Sequence, residues 1–297
     1  MINHMMTVAD MISAVILPLS LAMIMLGMGM SLIPADFAII MKKPKAVLVG
    51  LINQLVLLPI IGFSLAIFFG LSPVMSVGLM ILASCPGGPA SNLITHVCKG
   101  NIAVSITLTA ITSMVSIFTV PFILSYTIAY FGSGTDVIIK LPVMDTIIQI
   151  IGITVIPISI GMLIRKFKTN FAMRMKKVMR MASSIIFILV LLVVLAVNRD
   201  IIVKAMKEVA WITLLLNVIT MGLGYLTASM FKLDSKSVIS ITIESGIQNG
   251  ALAFVIATSI LNNVEMAIPT GAYVIWMYIT SGVMMWQLGK RPEAKLC

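Results

Sequence analysis

Glu244 is the residue best placed to do chemistry. The chain has ten acids in 297 residues, and Glu244 alone sits well inside an apolar run, from about Val238 to Leu261. Asp145 lies near the start of its own run and reaches the interface. An ionised carboxylate deep in hydrocarbon is costly without a partner, and no Lys or Arg falls at comparable depth. The partner is therefore a proton or a bound cation. Gln54, Ser91, Asn92, Ser105, Thr109 and Gln248 supply further oxygens in or beside apolar runs. Ser105 and Thr109 are four apart and share a helix face. Each hydroxyl alone would bond its own helix backbone. Together they favour a hard cation such as Na⁺, since a proton needs a single acceptor. Zinc or disulfide chemistry is not expected, because Cys85, Cys98 and Cys297 form no C-x-x-C pair and only two histidines occur.

Two interruptions must position these groups. In the first, Cys85-Pro86-Gly87-Gly88-Pro89, the prolines lack N–H donors and the glycines tolerate unusual backbone angles. The second is Gly246-Ile247-Gln248-Asn249-Gly250. Each break frees backbone groups that hydrocarbon leaves unsatisfied, so it survives only where protein, water or a ligand pairs them. A kink against a neighbouring helix is the plain alternative. Two breaks at matching positions, both beside amides, point instead to a binding centre.

The surroundings are a membrane. Apolar residues make up 60% of the chain and charged residues 10%, with mean hydropathy +1.14; soluble domains are about 25% charged. The expected fold is an all-α polytopic membrane protein of about nine transmembrane helices. The spans run near Met11–Leu32, Ala46–Phe69, Val74–Val97, Ile102–Tyr130, Val143–Ile164, Met181–Val197, Ala210–Met230, Val238–Leu261 and Ala267–Leu288. Met1–Asp10 carries no Lys or Arg, unlike a signal peptide, so the first span is expected to stay. With the N-terminus outside and the C-terminus inside, sixteen of the 20 basic residues fall inside: Lys42, Lys43, Lys45, Lys99, the seven from Arg165 to Arg180, Lys232, Lys236, Lys290, Arg291 and Lys295. Lys140, Arg199, Lys204 and Lys207 fall outside, and this asymmetry supports the odd count. The net charge of +10 is thereby explained without nucleic acid.

The broken spans are the third and the eighth. An odd offset puts two sets of four in opposite orientations, an inverted repeat within one transporter domain. Repeat one covers about 11–131, an extra helix about 143–164, and repeat two about 181–289.

Several stretches together resemble the bile acid:sodium symporter family, with bacterial members the nearest fit. They are Gly27-Met28-Gly29-Met30, Pro34-Ala35-Asp36-Phe37, Cys85-Pro86-Gly87-Gly88, Ala90-Ser91-Asn92, Lys99-Gly100-Asn101 and Ile243-Glu244-Ser245-Gly246-Ile247-Gln248-Asn249. The resemblance runs from about Gly27 to the C-terminus. It implies panel and core domains, with the two discontinuous helices crossing in the core beside two Na⁺ ions. The first ion would use Ser91, Asn92, Ser105, Thr109 and Glu244. The second would use Gln54, Glu244, Gln248 and backbone oxygens of Ser245 and Ile247. Asn249 would touch substrate, with Pro89, Ala90, Gly250 and Met277 around it. Many bacterial relatives have ten spans, and this chain is expected to lack the first. Pro89 and Met277 replace a threonine and a histidine found in some members, so substrate identity does not transfer.

The resulting expectation is a sodium-coupled symporter of an organic anion, a bile-acid-like amphipath or a small carboxylate. It would work as a monomer in the cell (inner) membrane. A proton-coupled carrier uses the same lone carboxylate and stays open from the residues alone. An intramembrane aspartyl protease needs two facing acids, and one is present. His96 and the Gly132-Ser133-Gly134-Thr135 stretch lie at opposite faces and make no serine-protease pair. A receptor would bring a signalling domain, and a channel suits paired broken helices less well. The 25 methionines are flexible packing.

Overall fold

The computed structural model describes residues 15–133, 142–197 and 199–289. The start of the first span, the loop around Lys140, and Lys290, Arg291, Lys295 and Cys297 lie outside them. The described residues are helical throughout, as the apolar runs require. In order, the helices are α1 (Leu17–Gly29), α2 (Pro34–Lys42), α3 (Pro44–Phe68), α4 (Pro73–Ser84), α5 (Pro89–Val97) and α6 (Ile102–Gly132). Then come α7 (Val143–Phe167), α8 (Thr169–Val197), α9 (Arg199–Met230), α10 (Ser235–Gly246), α11 (Gly250–Ile260) and α12 (Ile268–Gly289). Short polar side chains start several of them by accepting an orphan N–H of the first turn. Ser72 accepts from Met75, Asn101 from Val104, Asp234 from Ser237 and Asn249 from Leu252.

Among the described residues, α3, α6, α7 and the Met206–Met230 part of α9 are each long and apolar enough to cross a bilayer. The pair α1 and α2 makes a fifth if counted as one span, bent by 73°. The bend lies just beyond the first expected span, which ends near Leu32, and it has a local cause. Ile33 is extended, Pro34 opens the next helix, and Asp36 Oδ2 accepts the Ile33 N–H at 2.9 Å. Helices α8 and α9, which hold the sixth and seventh expected spans, begin well before their apolar stretches, because charged residues continue a helix as readily as apolar ones.

Two packing groups emerge. In one, α1 lies against α7 and α8. Gly29 and Gly161 bring α1 and α7 backbone to backbone: a Cβ on Gly29 would strike the Ile158 carbonyl, and one on Gly161 the Leu26 carbonyl. Small residues at such contacts are the usual device of helices packed in lipid. In the other group, α9 packs on α10 and α12, while α4 packs on α3, α6 and α12. The outer surface is apolar, and part of the interior is polar. Leu48, Ile52, Val56, Ile60 and Ile67 stand exposed on α3, while Ser105, Thr109, Thr112, Ser113 and Ser116 of α6 are buried. An apolar exterior, with hydroxyls buried inside a core that is otherwise largely apolar, fits lipid as the outer solvent.

Candidate functional site

Both interruptions are real, and they meet. Helix α4 ends at Ser84 and α5 begins at Pro89; α10 ends at Gly246 and α11 begins at Gly250. The first member of each pair has 12 residues. Between them Gly87 and Gln248 form an isolated antiparallel bridge. Gly88 N–H donates to Ile247 O at 3.1 Å, and Asn249 N–H donates to Pro86 O at 2.9 Å. Each break thus satisfies backbone groups that the other has freed.

Glu244 lies under this crossing and is 3% exposed. Ser91 Oγ donates to its Oε1 at 2.5 Å, and Ser105 Oγ donates to the same oxygen. Thr109 Oγ1 lies 3.1 Å from Oε1 and 3.0 Å from Oε2. The carboxylate therefore gathers hydroxyls from α5 and α6. Gly87 makes room for it, since a Cβ there would stand 2.5 Å from Glu244 Oε2.

The proton count is the informative feature. Each hydroxyl carries one hydrogen. Ser91 Oγ also faces Gly88 O at 2.8 Å, Ser105 Oγ faces Asn92 Oδ1 at 2.9 Å, and Thr109 Oγ1 faces Ser105 O at 3.1 Å. Three hydroxyl protons thus face both carboxylate oxygens and three further acceptors, of which Gly88 O also accepts the Ser91 N–H at 3.0 Å. Thr95 adds one more, its Oγ1 3.3 Å from Ser105 Oγ. An acceptor-rich, donor-poor shell around one acid is the donor set a hard cation needs. Among the described residues no three of His, Cys, Asp and Glu gather.

Gln54 lies in a π-helical turn of α3, Asn53–Leu57, a distortion frequent at functional sites. Its amide orientation is assigned from its neighbours. The nitrogen donates to Glu244 backbone O at 3.1 Å; the oxygen accepts from Gly87 N at 3.1 Å and from Gln248 Nε2 at 3.2 Å. Gln248 Nε2 also reaches Ser245 O at 3.1 Å. Gln54, the backbone oxygens of Glu244 and Ser245, and Gln248 are therefore linked as a second group beside the first, while the Ile247 carbonyl is held by Gly88 N–H.

The residues expected to touch substrate divide. Pro89 and Ala90 open α5, and Asn249 and Gly250 open α11, so these four flank the crossing. Asn249 Oδ1 is used by the Leu252 N–H at 3.1 Å; its Nδ2 makes no hydrogen bond among the described residues. Gly250 lies against Val274 of α12. Met277 is buried in the apolar core of α12, and none of the contacts above involves its side chain. Sequence reasoning missed Asn217, Tyr273 and Thr280. Asn217 Nδ2 and Tyr273 OH donate to Gly246 O at 2.9 and 3.0 Å, and Thr280 Oγ1 donates to Asn217 Oδ1 at 2.8 Å. An amide mid-span in the Ala210–Met230 run carried the same signal as Gln54.

Apolar helices, two of them broken at one crossing that buries a carboxylate among oxygens, are consistent with a multi-pass membrane protein. The profile of the Sodium Bile acid symporter family matches residues 18–205, well over half of the chain, and the chain belongs to that family. It is 28% identical over 277 residues to an uncharacterized sodium-dependent transporter, YocS, of Bacillus subtilis, covering 93% of this chain and 83% of that one. A probable chloroplastic sodium/metabolite cotransporter of rice, BASS2, is 25% identical over 86% of this chain and 60% of its own length. The human ileal sodium/bile acid cotransporter is 26% identical over 82% of this chain and 69% of its own. The chain thus spans most of the bacterial relative but under two thirds of the rice one.

Proposed function

We propose that the protein is a sodium-coupled symporter that carries an organic anion across the membrane by alternating access. The excess of acceptors over protons around Glu244 carries the reading. Two Na⁺ ions are cargo: one is held by Ser91, Asn92, Ser105, Thr109 and Glu244. The other is held by Gln54, Glu244, Gln248 and the backbone oxygens of Ser245 and Ile247. Both draw on the same carboxylate, so their binding is coupled through its charge. The relatives' printed names, sodium-dependent transporter and sodium/metabolite or sodium/bile acid cotransporter, support the choice of ion.

The anion side follows from the helix starts. First-turn N–H groups lack intrahelical partners, and helix N-termini favour negative charge. Helices α5 and α11 both begin at the crossing. Asn249, its oxygen engaged by the cap, offers only an N–H donor, which suits a carboxylate or sulfonate. Pro89 and Met277 leave the surroundings apolar, compatible with a bile-acid-like amphipath or a small carboxylate.

In this scheme nine spans form an inverted repeat, with the N-terminus outside and the C-terminus inside. The α1–α7–α8 group is the panel, and the remaining helices form the core that moves against it. Sodium binding neutralises Glu244 and fixes the unwound backbone, the anion joins, and the loaded core turns to the other face. Two Na⁺ with a monovalent anion move one net charge, worth about 2.3 kcal/mol per 100 mV. A thermal-shift screen of purified protein against organic anions tests the reading. An anion that stabilises only with Na⁺ present, choline replacing it at constant pH in the control, is the expected result. Stabilisation indifferent to Na⁺ but sensitive to pH contradicts it and favours proton coupling.

A further inference from the structure

The second break frees four consecutive backbone carbonyls, and each finds a different partner. Glu244 O accepts from the Gln54 amide at 3.1 Å. Ser245 O accepts from Gln248 Nε2 at 3.1 Å, and Ile247 O accepts from Gly88 N–H at 3.1 Å. These three partners belong to the crossing itself. Gly246 O differs, because its donors come from α9 and α12: Asn217 Nδ2 at 2.9 Å and Tyr273 OH at 3.0 Å. A carbonyl oxygen has two lone pairs, so Gly246 O is saturated. Ser245 O and Ile247 O, with one donor each, keep a lone pair for another ligand. Asn217 and Tyr273 are each 0% exposed. Thr280 Oγ1, donating to Asn217 Oδ1 at 2.8 Å, orients the amide so that its nitrogen faces Gly246. Met221 of α9 packs against Gly246 from the same helix as Asn217.

We propose that Asn217 and Tyr273, with Thr280 behind them, are positioning residues that set sodium affinity by holding the Gly246 carbonyl turned away from the ions. Successive carbonyls in an unwound strand point in different directions. Fixing Gly246 O toward α9 and α12 therefore fixes the peptide planes on either side and leaves Ser245 O and Ile247 O available for coordination. The latch also ties the ion-binding break directly to α12, the helix that carries Met277. It touches neither ion nor substrate. The proposal rests on the sodium reading above.

The test uses purified full-length protein and NaCl alone, with choline chloride holding ionic strength constant. The half-saturating Na⁺ concentration is read from the sodium-induced rise in melting temperature. Tyr273→Phe keeps the ring and removes one donor to Gly246 O. It is expected to raise half-saturating Na⁺ about 3- to 10-fold, the loss of one buried hydrogen bond, while the melting temperature without Na⁺ changes little. Thr280→Val, which releases the Asn217 amide to turn, is expected to give a smaller rise in the same direction. A lowered sodium-free melting temperature in both variants with an unchanged sodium dependence would show a purely structural role and overturn the proposal. Glu244→Gln, measured alongside, separates the two levels. If it loses the sodium response while both latch variants keep theirs at wild-type concentrations, the latch alone falls. If Glu244→Gln keeps the full response, the sodium reading falls and the latch with it.

Discussion

The two helix breaks look alike in the chain yet are stabilised in different ways. The first, at Cys85–Gly88, is written covalently. Pro86 and Pro89 remove two donors that would otherwise need partners, and Gly87 clears the space that Glu244 Oε2 occupies. The second, at Ile247–Asn249, has no proline. It is held by its partners: Gln54 on α3, Asn217 on α9, Tyr273 on α12 and Gly88 of the other break. A break built around prolines has fewer backbone donors to pair again when a ligand changes its contacts, although Gly87, Gly88 and Pro86 still bond to Gln54 and to the other break. A break built from hydrogen bonds changes when a ligand changes them, and this is the one that carries Glu244, Gln248 and Asn249. The pair thus combines a more fixed wall with a more responsive one.

Substitutions can break or sharpen that contrast. The largest effect is expected at the responsive wall. Glu244→Ala should abolish sodium-dependent stabilisation and uptake while leaving the protein inserted; full activity in this variant, assayed beside a membrane-fraction blot, would remove the residue from the scheme. Next comes the fixed wall: Gly87→Ala pushes a methyl to 2.5 Å from Glu244 Oε2. It should raise half-saturating Na⁺ roughly tenfold or more, the cost of overpacking a site that cannot yield. An unchanged sodium titration would show that the carboxylate moves freely and that the wall is not fixed.

Thr109→Val removes one hydroxyl without changing shape. Its expected cost in half-saturating Na⁺ is about 3- to 10-fold, the loss of one hydrogen-bonding group, measured by the same titration. The smallest effect lies outside the crossing. Lys43 Nζ pairs with Asp234 Oδ2 at 2.7 Å, with side chains 34% and 48% exposed. Burial raises the Asp234 carboxyl, but hydrogen bonds from Lys43 and Ser237 outweigh it and hold it below its ordinary value. A depressed folded pKa means the contribution is present above the unfolded value and lost as pH falls through the folded one. Asp234→Asn should therefore lower stability by less than about 1 kcal/mol near neutrality. The difference from wild type should vanish in acid below the ordinary carboxylate range. Calorimetry across pH checks this, and a larger or pH-independent loss would assign Asp234 another role.

Much of the centre was legible before any coordinates. Glu244 stood out because hydrocarbon makes a lone acid expensive, and Pro86, Gly87, Gly88 and Pro89 cannot continue a regular helix. Ser91, Ser105 and Thr109 were weak individually, yet all three reach Glu244. Asn217, Tyr273 and Thr280 were overlooked because a single amide, phenol or hydroxyl in an apolar helix has a local explanation until packing shows which way it points. The bend between α1 and α2 was equally hidden, since hydropathy averages over Ile33 and Pro34 and carries no direction. Met277 is a different case. A position carried over by resemblance is buried in α12, but the hydrogen-bonded crossing is built without its side chain.

Equilibrium binding of radiolabelled Na⁺ to the purified protein, in wild type and in Glu244→Gln, bears most directly on the buried carboxylate. Saturable binding in the wild type that disappears in the variant is the result expected if the acceptor-rich shell holds ions. Equal binding in both, or no saturable binding in the wild type at any pH, would contradict it.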